Sequence, residues 1–301
     1  MNHRSEWMLL ALLAVLCAAC GTDEAAGDLP AAEEARVAVQ FSCQINVETR
    51  AAGSQWGAGD RIGIYMTEAG LPLADGNISE QVENIAYVTT GDGTFTPAEG
   101  ERTIYFPILG NVDFYAYYPQ TAAVDDYQLS VNVADQSRQE AIDLVYATVM
   151  NRDKSQPEVQ FNFRHQLSNL VLDVQPGNGL TAEELSNLTI TVKNQNTTAT
   201  YRLADGALAS AATPADVELK AVTSGSRYEA ILLPTADEGR ELVFDLHNGH
   251  DAPFLWQMPG PLVAGMQYHY SSVKISRTAA QVEGVIQSWG EATDPNDYIA
   301  Q

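Results

Sequence analysis

Between residues 36 and 50 the chain reads RVAVQFSCQINVETR, and every odd position from 37 to 47 is apolar or small and sulfur-bearing: Val37, Val39, Phe41, Cys43, Ile45 and Val47. A period of two is that of a strand with one face buried. The alternation returns in Ile62, Ile64 and Met66, in Val112, Phe114, Ala116 and Tyr118, and in Tyr127, Leu129, Val131 and Val133. Turn residues separate these runs, among them Gly91-Asp92-Gly93 and Gly110-Asn111. In EVQFNFRHQLSNLVLDV, residues Val159, Phe161, Phe163, His165 and Leu167 share one parity, whereas Leu170, Leu172 and Val174 share the other. The switch at Ser168-Asn169 predicts a bulge or a bend.

The second half repeats the theme. Thr181-Ala182-Glu183-Glu184 has the form of a capping box and predicts one helical turn. Leu188, Ile190 and Val192 resume the alternation, and Leu242, Phe244 and Leu246 run into Asn248-Gly249 before Phe254, Trp256 and Met258 return, a hairpin pattern. Some ~15 short strands and no βαβ unit predict an all-β chain of two β-sandwich domains in tandem. The stretch QPGNG sets their boundary, giving an N-terminal sandwich over 51–176 and a C-terminal one over 177–301.

The N-terminus is of another kind. Arg4 precedes an apolar run from Trp7 to Leu16, too short to span a membrane and suited to a secretory signal. It ends in Leu16-Cys17-Ala18-Ala19-Cys20, which resembles a bacterial lipobox with Cys17 where leucine is usual. Residues 1–19 are then a lipoprotein signal peptide and Cys20 the lipidated first residue; an ordinary signal cleaved after Ala19 is the alternative. The Ala/Asp/Glu-rich stretch 21–34 reads as a tether.

Composition narrows the function. A net charge of −23 disfavours nucleic acid and anionic lipid surfaces as partners. Of three cysteines, Cys17 leaves with the signal and Cys20 takes lipid, so Cys43 is alone, without an intrachain disulfide, and reads as a small buried hydrophobe. The sequence contains no G-x-S-x-G, phosphate loop, dinucleotide fingerprint or zinc-spaced cysteine pair, so no enzyme, cofactor or metal is expected. His165 sits on an apolar parity and reads as a core histidine; His247-Asn248-Gly249-His250-Asp251 reads as a hairpin tip; Asp294-Pro295-Asn296-Asp297 lacks calcium-loop spacing; Tyr115, Tyr117 and Tyr118 read as packing.

The first strand is what needs a functional account. Burying its six side chains contributes up to ~9–18 kcal/mol at ~1.5–3 each. Its loss by a cut after Arg50 would open an apolar groove edged by unpaired backbone groups, a template for another strand.

Several segments resemble the fimbrillin family, the type V pilus subunits of Bacteroidota: Thr49-Arg50-Ala51 with Trp56-Gly57-Ala58-Gly59-Asp60-Arg61-Ile62-Gly63-Ile64-Tyr65-Met66, then Tyr105-Phe106-Pro107, Asp113 to Pro119, Asp143 to Ala147, Phe161 to Ser168, and Ile286-Gln287-Ser288-Trp289. The resemblance spans nearly the whole mature chain. It implies a lipoprotein precursor with two transthyretin-like β-sandwiches, lipidated at Cys20 and cut at Arg50-Ala51 by an arginine-specific protease. The cut removes residues 20–50, including the strand Val37 to Val47. A C-terminal strand of a neighbouring subunit then fills the groove, here 282–301, with Val282, Gly284 and Ile286 facing one way and Val285 the other. The implied partners are other pilus subunits and, before processing, the outer membrane through the lipid; the implied location is a surface pilus. Two alternatives stand beside this: a permanent first strand with Arg50 in an ordinary loop, and a surface glycan-binding lipoprotein using exposed aromatics such as Trp56 or Trp256.

Overall fold

A computed structural model of the chain describes residues 36–45, 55–277 and 279–289. The alternating runs form strands throughout. The first half contains β1 (Gln40–Ile45), β2 (Arg61–Glu68), β3 (Ile85–Thr89), β4 (Thr94–Pro97), β5 (Val112–Tyr118), β6 (Val124–Asp125), β7 (Gln128–Asn132), β8 (Val145–Arg152) and β9 (Glu158–His165). The second contains β10 (Ser168–Pro176), β11 (Thr189–Asn196), β12 (Thr198–Arg202), β13 (Ala207–Ser210), β14 (Pro214–Glu218), β15 (Lys220–Thr223), β16 (Arg227–Leu232), β17 (Gly239–Asp245), β18 (Phe254–Pro259), β19 (Met266–Ser276) and β20 (Ala279–Ser288). Among the described residues the only helical elements are 3-10 turns at Gln139–Ala141 and Glu184–Asn187. The second opens on the expected capping box: the Thr181 N–H donates to Glu184 Oε2 (2.9 Å) and the Glu184 N–H to Thr181 Oγ1 (3.4 Å).

Seven strands close on themselves in the order β1-β4-β3-β2-β5-β8-β9. β1 bonds on both sides, so the two edges that an open sandwich would leave are joined and the sheet is a barrel. Its interior is filled by Phe41, Ile62, Ile64, Met66, Phe114, Phe161 and Phe163, among others. In the second half a five-stranded sheet, β15-β16-β10-β19-β20, faces a four-stranded one, β14-β11-β17-β18. Leu170 and Leu172 from the first meet Ile190, Val192, Leu242 and Phe244 from the second in one core, which makes this half a sandwich.

A fourth sheet, β13-β12-β7-β6, draws strands from both halves. Tyr117, Leu129, Tyr201, Leu203, Ile231 and Trp289 share its core. Gln136 pins the halves together, its amide donating to Val133 O and Ile231 O and its Oε1 accepting from the Ile231 N–H. The hydrogen-bonded sheets therefore change hands ahead of the expected 176/177 boundary. β9 belongs to the barrel, whereas β10 pairs with β16 and β19. The parity switch is the crossover itself: side chains that faced the barrel core up to Phe163 give way to ones that face the sandwich core from Leu170. QPGNG instead ends β10 and leads into the capped turn within the second half.

Candidate functional site

β1 is a wall strand of the barrel. It runs parallel to β9, from Gln40 opposite Glu158 to Ile45 opposite Phe163, and antiparallel to β4, with Phe41 opposite Phe95. Further backbone bonds extend its seat: the Val39 N–H donates to Ile104 O, the Phe106 N–H to Val37 O, the Gln40 N–H to Pro157 O and the Cys43 N–H to Gly93 O, at 2.8–3.0 Å. The last of these depends on glycine. Gly93 has φ +82°, and a Cβ there would stand 2.9 Å from Cys43 O.

The predicted inward set divides as follows. Val39, Phe41 and Cys43 are buried, Val37 and Ile45 are half-buried against the same core, and Val47 lies outside the described residues. Gln40, Ser42 and Gln44 alternate with them and are exposed. Phe41 is the centre of the seat. Its ring stacks on Phe161 (5.6 Å, 15°) and meets Tyr87 (5.1 Å) and Phe114 (5.7 Å) edge-on. Burial pushes the Cys43 thiol well above the ordinary cysteine range, so it stays protonated and unreactive in place.

Trp56 closes the far end of this seat. It is 8% exposed, its indole N–H donates to Cys43 O (2.9 Å), and its ring packs edge-on against Phe95, Tyr118 and Phe163. It is therefore not the exposed stacking residue that a sugar-binding reading requires; the indole is needed to satisfy a β1 carbonyl. Trp256 is half-buried against the sandwich core and edge-on to Tyr270. Tyr115 and Tyr117 are core residues, as expected. His247, Asn248 and Gly249 form the β17–β18 turn, with Gly249 at φ +70°.

Where β1 ends, Ile45, Trp56, Tyr118, Asp143 and Trp289 line a cleft of about 530 Å³ that Asn169 and Ile231 of the second half also face. His165, the last residue of β9, is buried behind Asp143 and Trp289 of this lining. Its Nδ1 is 2.8 Å from Asp143 Oδ1 and its ring lies flat on Trp289 (3.8 Å, 7°), while Nε2 has no partner among the described residues. Sequence periodicity placed His165 in a core but carried no signal for the Trp289 lid, which joins residues far apart in the chain.

β20, which holds Val282, Gly284, Val285 and Ile286, is the edge strand of its sheet. Among the described residues it is bonded only to β19, with Val282 opposite Val273, Val285 opposite His269 and Ile286 opposite Tyr268. The register shifts between His269 and Ser272, opposite Gly284. Cys20, Arg50 and Ala51 lie outside the described residues, as do the signal peptide, the tether and Asp294 to Asp297. Among the described residues no cluster of His, Cys, Asp and Glu has the geometry to hold a metal.

Residues 49–289 match a protein family described as Fimbrillin-like. The chain is 34% identical over 297 residues, 95% of either chain, to a protein of Bacteroides uniformis named as a candidate fimbrium subunit, Fim1C. Among solved structures it resembles a candidate cell adhesion protein from Bacteroides uniformis, at 32% identity and TM-score 0.73, covering 85% of this chain and 98% of that one. A candidate cell adhesion protein from Bacteroides ovatus shares the fold at 21% identity and TM-score 0.66, covering 84% and 98%.

Proposed function

The chain belongs to the fimbrillin-like family of fimbrial subunits, and from that premise we propose that it is exported as a lipoprotein and polymerises by replacing its own first strand with a strand of a neighbouring copy. The observation that carries this reading is the position of β1: it is the first barrel strand in the chain, its removal reopens the ring, and one cut at the arginine at residue 50 separates it from the other six strands. While β1 is seated, it is paired on both sides and its place in the barrel is filled. A cut at Arg50-Ala51 frees residues 20–50, which carry both the strand and the Cys20 lipid.

An empty seat would expose Tyr87, Phe95, Phe114, Phe161 and Phe163 together with the ladder edges of β4 and β9. That is a β-augmentation site with an apolar floor. The donor is the C-terminal segment with Val282, Gly284, Val285 and Ile286. In its own subunit β20 is paired, among the described residues, along one edge; in the seat of β1 it has two ladders to join. Spread over ten residues at ~3.3 Å each, β20 is about 33 Å long, enough to fill the place of the six-residue β1. Because the donor and the seat lie on different surfaces, the contact is heterologous, does not close, and gives a filament. The filament is a cell-surface pilus that supports adhesion.

Limited digestion of the purified precursor with an arginine-specific protease tests this. Denaturing electrophoresis of unboiled samples shows one cut after Arg50 and a ladder of oligomers. A body that stays monomeric after the cut, with the fragment still attached, rejects it.

A further inference from the structure

The geometry points to a second contact in this assembly, resting on the strand replacement above: the barrel rim formed by Ile108 and Leu109 is the docking surface for the far end of a neighbouring copy's C-terminal sandwich.

The turn before β5 presents Ile108 and Leu109 at 61% and 86% exposure, and Met150 on the adjoining β8 at 47%. These apolar side chains stand on a fixed base. The buried Asp113 carboxylate accepts the Gly70 and Asn151 N–H groups at 2.7 Å each, the Asn111 amide donates to Asn151 Oδ1, and Lys154 Nζ donates to Ile108 O. Apolar groups held open to water on a braced loop are the signature of a contact surface.

The rim lies where β1 begins. Ile104, Phe106 and Pro157 bond the backbone of Val39, Val37 and Gln40, and the 107–111 turn follows directly. A donor that takes over both ladders of β1, parallel to β9 and antiparallel to β4, runs in the direction of β1 and has its N-terminal end beside the place of Gln40.

Its owner must then sit against that end. β19 starts beside the barrel, where the Gly265 N–H donates to Leu167 O, and runs away from it to Ser276; β20 returns from Ala279. A β20 that detaches remains attached at the far end of the sandwich, where Arg277 pairs with Glu184 and Asp251 and donates to Gly179 O. The strand enters by its N-terminal end and runs in the direction of β1, bringing the 177–184 and 247–251 turns of the donor molecule onto Ile108 and Leu109. A lipid surface fits the rim less well, since the chain carries a charge of −23 and the tether that would hold the rim to a membrane leaves with residues 20–50.

The test compares cleaved parent subunits with the double variant Ile108→Asp, Leu109→Asp, both sites being exposed enough to leave the fold intact. Uptake of a synthetic peptide of sequence 279–301 reads the seat, and the unboiled ladder reads assembly. The expected result is peptide uptake within twofold of the parent and ladder growth slowed roughly tenfold or more, about 1.4 kcal/mol. A mixture of Leu109→Cys and Asn178→Cys subunits is expected to give disulfide-linked pairs only after cleavage. Undiminished ladder growth by the double variant overturns the proposal, and if binding of the uncleaved chain to phosphatidylcholine vesicles falls at the same time, the rim faces a membrane instead. Parent subunits that take up no peptide overturn the strand replacement itself, and this surface with it.

Discussion

Phe41→Ala lowers the stability of the uncleaved chain by about 3–5 kcal/mol, the usual cost of truncating a buried phenylalanine, and leaves the assembled filament's resistance to urea unchanged. The first half of this result follows from packing. Phe41 is 2% exposed and touches three aromatic rings, so its loss opens a cavity at the middle of the β1 seat with Phe161, Tyr87 and Phe114 unable to collapse onto it. The second half follows only if β1 has left the molecule by then. Phe161→Ala supplies the contrast: Phe161 lies on the floor of the seat, in β9, and remains after processing. It destabilises precursor and filament alike. Urea titrations followed by tryptophan fluorescence read both states, since Trp56 packs against Phe95 and Phe163 beside the seat.

Arg50→Ala abolishes assembly without altering the fold of the precursor. Arg50 is the single basic residue between Arg36 and Arg61, so an arginine-specific enzyme has no other site that separates β1 from the barrel body. With the bond intact, β1 is covalently tethered to its own barrel and competes intramolecularly with any incoming strand, at a high effective concentration. Arg50→Lys distinguishes loss of the cut from a structural role for the arginine: it is inert to the arginine-specific enzyme and recovers its ladder when a lysine-specific enzyme is supplied. Sedimentation of the two variants before and after digestion checks this, and a ladder from uncut Arg50→Ala protein would sever assembly from processing.

The alternation of β1 was legible because a strand with one buried face repeats every two residues, and Val39, Phe41 and Cys43 are buried as that period requires. Its partners were not legible. Period two says that a face is buried and nothing about which strands flank it, so the parallel pairing with β9, more than a hundred positions on, and the barrel closure it produces have no local signature. The same limit hid the shared sheet: β7 and β12 lie in different halves of the sequence, and nothing local to Leu129 or Tyr201 says that the two stand opposite each other. The parity switch at Ser168 was visible but its meaning was not, since a bulge within one sheet and a crossover between two give the same pattern. Trp56 misled because it stands outside any alternating run, in a Gly-rich stretch that resembles an exposed loop; its burial comes from a hydrogen bond to Cys43 O that only the folded chain supplies.

Cys43 offers the most direct measurement. In the seated strand Cys43 is 3% exposed and burial keeps its thiol protonated, while the proposed lipoprotein processing removes Cys17 and caps Cys20, so a thiol reagent has one target whose reactivity reports the place of β1. Mass spectrometry of the labelled protein through a digestion course is expected to show Cys43 unlabelled in the precursor, then fully labelled on a free fragment ending at Arg50 as the ladder of bodies beginning at Ala51 grows. A fragment that co-purifies with the cut body, its Cys43 still unlabelled while oligomers form, would show that β1 never leaves its barrel and would contradict the exchange.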